Sequence, residues 1–179
     1  MVSWLQGLYK IFIMCYYIYG DMMEDKLKKI IEVLSSKNKT LSTMESCTGG
    51  ALINKFTDIP GSSEVIKFGA VTYSNDFKVK MGVPKSLIDT YSVYSLETAR
   101  SMAKTIKTFT FSDYSVGITG KLNKPDPFNK TGRDNEVFVS IYDGDKYYDL
   151  DVFVLHQNRA DNKNEVIDKI LDKLLEIIQ

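Results

Sequence analysis

The stretch Ser42–Phe56, STMESCTGGALINKF, sets three potential nucleophiles, Ser46, Cys47 and Thr48, directly before the glycine pair Gly49 and Gly50. Glycine reaches backbone angles that other residues resist, so the pair marks a tight turn at the mouth of the helical pattern GALINKF. A strand-to-helix turn leaves the first helical N–H groups unpaired and outward-facing, which favours a phosphate or a developing oxyanion there. A hydroxyl at that point is placed to attack. The alternative reading makes Ser46 or Thr48 the helix N-cap and nothing more, a role serine and threonine fill in many helices.

A nucleophilic serine needs a base. The chain has a single histidine, His156, far along the sequence, and MESCT has no glycine at either end where a GxSxG elbow needs one, so a Ser-His-Asp triad has little to rest on. A Ser-Lys pair stays open, because burial can depress a lysine pKa toward neutrality. Lys78, just beyond the YSN sequence at 73–75, is one candidate; an ordinary solvated lysine is the alternative. The glycine pair fits neither the P-loop nor the GxGxxG pattern.

The elements that must position these residues follow from periodicity. Leu27, Ile30, Ile31 and Leu34 give Glu24–Ser36 an apolar helical stripe, and KTLSTMES reads as a strand into the turn. A Pro60-Gly61 turn precedes a β-rich run from Glu64 to Tyr73. DFKVKMG reads as a helical turn, and Pro84 suits the first turn of a helix over VPKSLIDTY. Ser95–Phe109 carries a stripe of Leu96, Ala99, Met102, Ala103 and Ile106. DYSVGITG is a strand ending in glycine, and KLNKPDPFNKTGRDN is a polar loop. EVFVSIYD and KYYDLDVFVL form a hairpin about Gly144, and a last amphipathic helix spans Asn164–Ile178. The pattern predicts an α/β fold, a three-layer α/β/α sandwich on a mixed sheet.

Composition narrows the function. Lys plus Arg and Asp plus Glu balance at 23 each, with no block of either sign, so no nucleic-acid partner is expected and a small-molecule substrate is the better default. Cys15 and Cys47 lie far apart and form no CxxC, and no His/Cys spacing suggests a metal or a cofactor-bearing site. Residues 1–21 are strongly apolar and aromatic with few charges. The run Ile11–Tyr19 is too short to span a bilayer and no small-residue cleavage site follows it. No membrane partner is expected; the segment is read as an extension outside the fold, with residues 22–179 as the domain.

The motifs ESCTGG, DIPGSS, GAVTYSNDFKVKMGV and DYSVGITG resemble, in order and spacing, the C-terminal domain of the competence/damage-inducible CinA family, whose stand-alone members include nicotinamide mononucleotide deamidase. The likeness covers roughly Glu24–Gln179. It implies a cytoplasmic, cofactor-free amidase that hydrolyses the carboxamide of nicotinamide mononucleotide and releases ammonia without a metal, in pyridine nucleotide recycling. The resemblance makes Ser46 the nucleophile and Lys78 the base, with Tyr73 and Thr119 supporting the site. It implies substrate contacts from Cys47, Thr48, Gly49, Gly50, Asn75, Gly120 and Arg159, the last as a candidate phosphate partner. Self-association into a homo-oligomer is expected, as is the stand-alone rather than the fused form.

Chemistry asks for the same parts: a nucleophile, a proton carrier for the departing ammonia, and donors for the oxyanion, here the N–H groups around Thr48–Gly50. Cys47 is the rival nucleophile, although a buried free cysteine is usually a packing residue. The chain departs from the family after Gly120, where a longer, more basic loop carries Lys121, Lys124 and Arg133, either a replacement phosphate site or a solvated surface. That departure keeps two other functions open: a ligand-binding or accessory protein without the activity, linked to competence or DNA damage, or an amidase for another small amide.

Overall fold

The computed structural model of the chain describes residues 20, 22–127, 129 and 131–179. The apolar extension predicted over residues 1–21 lies outside the described residues except for Gly20. Five strands form one sheet in the order β2-β1-β3-β4-β5: β1 Leu41–Glu45, β2 Ile66–Val71, β3 Tyr114–Gly120, β4 Glu136–Tyr142 and β5 Tyr147–Phe153. β1 runs parallel to both neighbours, and β3, β4 and β5 pair antiparallel. The sheet is mixed, as predicted.

Helix α1, over residues 22–36, buries Met23, Leu27, Ile30, Ile31 and Leu34, the stripe expected from its spacing. It joins α2 (Ala51–Thr57) and α6 (Arg159–Ile178) in one core with Leu41, Val116 and Ile118 of the sheet. Met44, pointing the other way along β1, packs with Ile88 of α4 (Lys85–Tyr91) and with Met102 and Ile106 of α5 (Leu96–Thr110). Two cores on opposite faces of one sheet make the three-layer sandwich. The period-2 alternation of β1 feeds both of them.

α5 lies close on its face of the sheet. A Cβ added at Gly117 of β3 would stand 2.2 Å from Ala99 O and 2.6 Å from Ala103 N, so only glycine admits the helix backbone at this separation. Ser95 caps α5 by accepting from Thr98 N at 3.1 Å, as its sequence suggested. The β-rich run from Glu64 to Tyr73 is narrower than predicted: Ser62–Glu64 is a 3-10 turn, β2 ends at Val71, and Ser74 already caps helix α3, Asn75–Met81. The last helix begins at Arg159, five residues before the predicted Asn164, because Asn158 caps it and accepts from Asp161 N at 2.8 Å. Its first turn is polar and carries no apolar stripe, so periodicity could not reveal it.

Among the described residues no helix is long and apolar enough to cross a membrane.

Candidate active site

The chain leaves β1 toward β2 on one side and returns through β3 on the other, which opens a crevice at the carboxyl ends of β1 and β3. Open α/β sheets hold their ligands at such a switch point. Ser46 is the first residue past β1, and its N–H donates to Ile118 O at 3.0 Å, extending the β1–β3 pairing to the turn. A cavity of about 710 Å³ opens there, inside the roughly 300–1,000 Å³ range of small-molecule sites.

Lys78 Nζ stands 2.9 Å from Ser46 Oγ and donates to Thr72 O at 2.7 Å. The lysine is 1% exposed. Its helix explains why: α3 has seven residues, capped at its start by Ser74, which accepts from Phe77 N at 3.3 Å, and ended by Gly82 at φ +117. That short helix turns one side chain inward, and it is Lys78. Burial without a carboxylate at hydrogen-bond distance lowers its pKa from 10.5 to about 8, while Cys47 and Asp126 pull weakly the other way. The solvated-lysine alternative is thereby removed.

Cys47 is also buried, and burial pushes its thiol up to about 12, against the opposing charges of Arg159 and Lys78. A thiol so held is protonated at neutral pH and is a poor nucleophile. Of the two adjacent residues, Ser46 is the one whose side chain accepts from Lys78.

Neither Ser46 nor Thr48 caps α2. The cap position is Gly50, at φ 88, with no side-chain cap bond. Capping is done by Glu45, fully buried at the end of β1, whose carboxylate accepts from Gly50 N at 3.1 Å, Leu52 N at 3.2 Å, Ile53 N at 2.9 Å and Thr48 Oγ1 at 2.7 Å. A buried carboxylate must be satisfied by donors, and a helix N-terminus supplies them. This corrects the expected oxyanion donors: Gly50 N–H is spent on Glu45 and Gly49 N–H on Ser46 O at 3.0 Å. Thr48 N–H is the amide of the expected trio that meets no protein acceptor among the described residues.

Ser46, Cys47, Tyr73, Asn75, Lys78, Gly120 and Arg159 all line the cavity. Thr48, Gly49, Gly50 and Thr119 do not line it. Thr119 is fully buried and donates to Val93 O at 2.8 Å, which fixes the α4–α5 connection rather than reaching the serine. Arg159, at the start of α6, donates to Tyr73 OH at 3.4 Å and to Leu122 O, so it ties three segments together at the cavity. His156 pairs with Glu165 at 3.0 Å and does not line the cavity.

The divergent loop splits into separate roles. Lys121 is buried, donating to Gly132 O at 2.9 Å with Asp134 at 3.5 Å. Arg133 faces Glu136 and the Phe153 ring, outside the cavity. Lys124 alone of the three predicted cations is an exposed cavity residue. Sequence reasoning missed Tyr94, Asp126 and Asn129, which also line the site. A signal existed for Asp126, set between Pro125 and Pro127 in KPDPFN. Among the described residues no group of three or more His, Cys, Asp or Glu is arranged to hold a metal ion.

Comparison with known proteins agrees with this architecture. The chain is 44% identical over 105 residues to a competence-damage inducible protein of Caldanaerobacter subterraneus subsp. tengcongensis, covering 58% of this chain and 26% of that protein. It is 38% identical over 104 residues to a CinA-like protein of Desulfovibrio desulfuricans, 58% of this chain and 24% of that one. The matched region thus spans about a quarter of the length of these curated relatives. The crystal structure of competence/damage inducible protein CihA from Agrobacterium tumefaciens superposes with a TM-score of 0.81 at 26% identity, over 88% of this chain and 96% of that one. A competence or damage-inducible protein from Enterobacter asburiae has the same fold, with a TM-score of 0.81 at 22% identity over 88% and 98% of the two chains. The CinA C-terminal domain matches residues 23–178, and the chain belongs to that family.

Proposed function

We propose that the chain is a serine amidohydrolase that converts nicotinamide mononucleotide to nicotinate mononucleotide and ammonia. The observation that carries this reading is the buried Lys78 amine at 2.9 Å from Ser46 Oγ with its pKa brought down to about 8. At pH 7 about one lysine in ten is then neutral, against roughly one in three thousand at the ordinary value. A neutral amine at hydrogen-bond distance is a general base.

In this scheme Lys78 takes the Ser46 hydroxyl proton as Oγ attacks the carboxamide carbon. The tetrahedral oxyanion forms against the turn that follows Ser46. The Lys78 ammonium returns its proton to the leaving nitrogen, the C–N bond breaks, and ammonia departs from a Ser46 ester. Water, deprotonated by Lys78, then attacks that ester and releases the acid and the free serine. Arg159 offers a planar fork for the nucleotide phosphate, supported by Lys124. Tyr73 OH, which accepts from Arg159, orients that fork. Pyridine nucleotide recycling in the cytoplasm and a homo-oligomeric state go with this reading.

Ammonia release from nicotinamide mononucleotide, measured beside Ser46→Ala and Lys78→Ala, tests it. Activity in the parent that both substitutions remove is the expected result. No release from a folded parent that still binds the nucleotide would turn the reading to a ligand-binding member of the family.

A further inference from the structure

The loop between β3 and β4 carries a carboxylate into the cavity, and the fold anchors it. Tyr94 OH donates to Asp126 Oδ2, and Asn129 Nδ2 donates to the same oxygen at 2.8 Å. Asn129 Oδ1 in turn accepts from Asn75 Nδ2 at 2.9 Å, and Asn75 is the first residue of the helix that holds Lys78. The far end of the loop is fastened as well. Thr131 Oγ1 lies 2.6 Å from Ser92 Oγ, and Gly132, at φ +77, leaves room for the Tyr94 side chain 3.1 Å from where a Cβ would stand. Asp126 is therefore set in place by three segments: its own loop, the α4–α5 connection and the start of α3.

Position matters because one cavity holds charges of both signs. Arg159, Lys124 and Asp126 all line it together with Ser46 and Lys78. The field of Asp126 reaches Lys78 across that space. A nicotinamide whose ring nitrogen carries a ribose is a pyridinium cation, and its phosphate is an anion, so the nucleotide is charged at both ends. The carboxamide that meets Ser46 is attached to the cationic ring, which brings that ring into the cavity that Asp126 lines.

We infer that Asp126 is a specificity residue that selects the positive ring, so that the site takes N-ribosylated pyridinium carboxamides over neutral carboxamides of the same shape. The inference rests on the amidase reading for the pose of the carboxamide at Ser46. A carboxylate and a cation about 5–6 Å apart at an effective dielectric near 20 differ from a neutral pair by on the order of a hundredfold in affinity, less where water screens them.

The discriminating ligand is the reduced 1,4-dihydropyridine form of the same mononucleotide, which keeps carboxamide, ribose and phosphate but has a neutral ring. Binding of both forms is measured calorimetrically on the full chain carrying Ser46→Ala, with and without Asp126→Asn, and ammonia release is followed on the parent. Asp126→Asn keeps an acceptor for Tyr94 and removes the charge; Tyr94→Phe, which takes away one of the donors that anchor the carboxylate, is the second variant. The expected result is a tenfold or greater preference for the oxidised form that Asp126→Asn abolishes and Tyr94→Phe weakens. Equal affinity for the two forms, or an Asp126→Asn loss that is the same for both, overturns the inference while leaving ammonia release to stand by itself. Charge-selective binding without ammonia release sinks the amidase reading and keeps the selector. No binding of either form sinks both.

Discussion

Replacing Lys78 with methionine should make the protein more stable and inactive. The drop in the Lys78 pKa from 10.5 to about 8 corresponds to roughly 3 kcal/mol at about 1.4 kcal/mol per pH unit. The sign follows from proton counting. Between pH 8 and 10.5 the unfolded chain binds the lysine proton and the folded chain does not, so parent stability rises with pH across that window. Below pH 8 the full penalty is present, and above 10.5 it is gone. Methionine keeps the buried stem and has no charge to desolvate. Against this, Thr72 O loses its Lys78 donor at 2.7 Å, which costs about 1–2 kcal/mol. The net at pH 7 is a gain of about 1–2 kcal/mol, or about 3–6 °C in Tm for a domain of this size. Urea unfolding of parent and Lys78→Met from pH 7 to 10.5 checks it: the parent should gain roughly 3 kcal/mol relative to the variant over that range. A difference that stays constant with pH would show that Lys78 titrates near its ordinary value, and the Ser-Lys mechanism would lose its base.

Other substitutions test the surrounding frame. Glu45→Ala removes the acceptor of Gly50, Leu52 and Ile53 N–H and should cost about 3–5 kcal/mol in chemical denaturation, whereas a loss under 1 kcal/mol would mean water replaces the carboxylate. Gly117→Ala meets the α5 backbone at 2.2 Å and should lower stability by about 2–3 kcal/mol or more, read from the thermal midpoint; an unchanged midpoint would show that α5 can lift from the sheet. Cys47→Ala should keep most of the ammonia release, and the parent thiol should resist iodoacetamide at pH 7 because burial holds it protonated. Fast alkylation of Cys47 in the folded protein would reopen its claim as nucleophile. The kcat/KM for ammonia release should climb with pH to a plateau above about 8, following the neutral Lys78.

Much of the architecture was legible in the chain because it is written in local periodicity. The stripe from Leu27 to Leu34, the capped start at Ser95, the strand ending at Gly120 and the hairpin about Gly144 each depend on neighbours a few residues away, and each forms as read. The motifs around Ser46 and Lys78 also offered a candidate nucleophile and a candidate base. What those motifs could not decide was which of two adjacent groups reacts and whether the lysine is a base at all. Desolvation bears on both: it favours a protonated Cys47 and a partly neutral Lys78, and burial is a property of the packed fold rather than of any window of sequence. Glu45 became the helix cap and Thr119 a tie to Val93 for a related reason. Buried polar atoms must find partners, and those partners come from β1 reaching α2 and from β3 reaching the α4–α5 connection. Residues 46 and 78 lie on separate elements 32 positions apart, and Asp126 comes from a third segment. Sequence determined the chemical types; only the sheet order, by bringing the ends of β1 and β3 together beneath α3, decided which of them share one cavity.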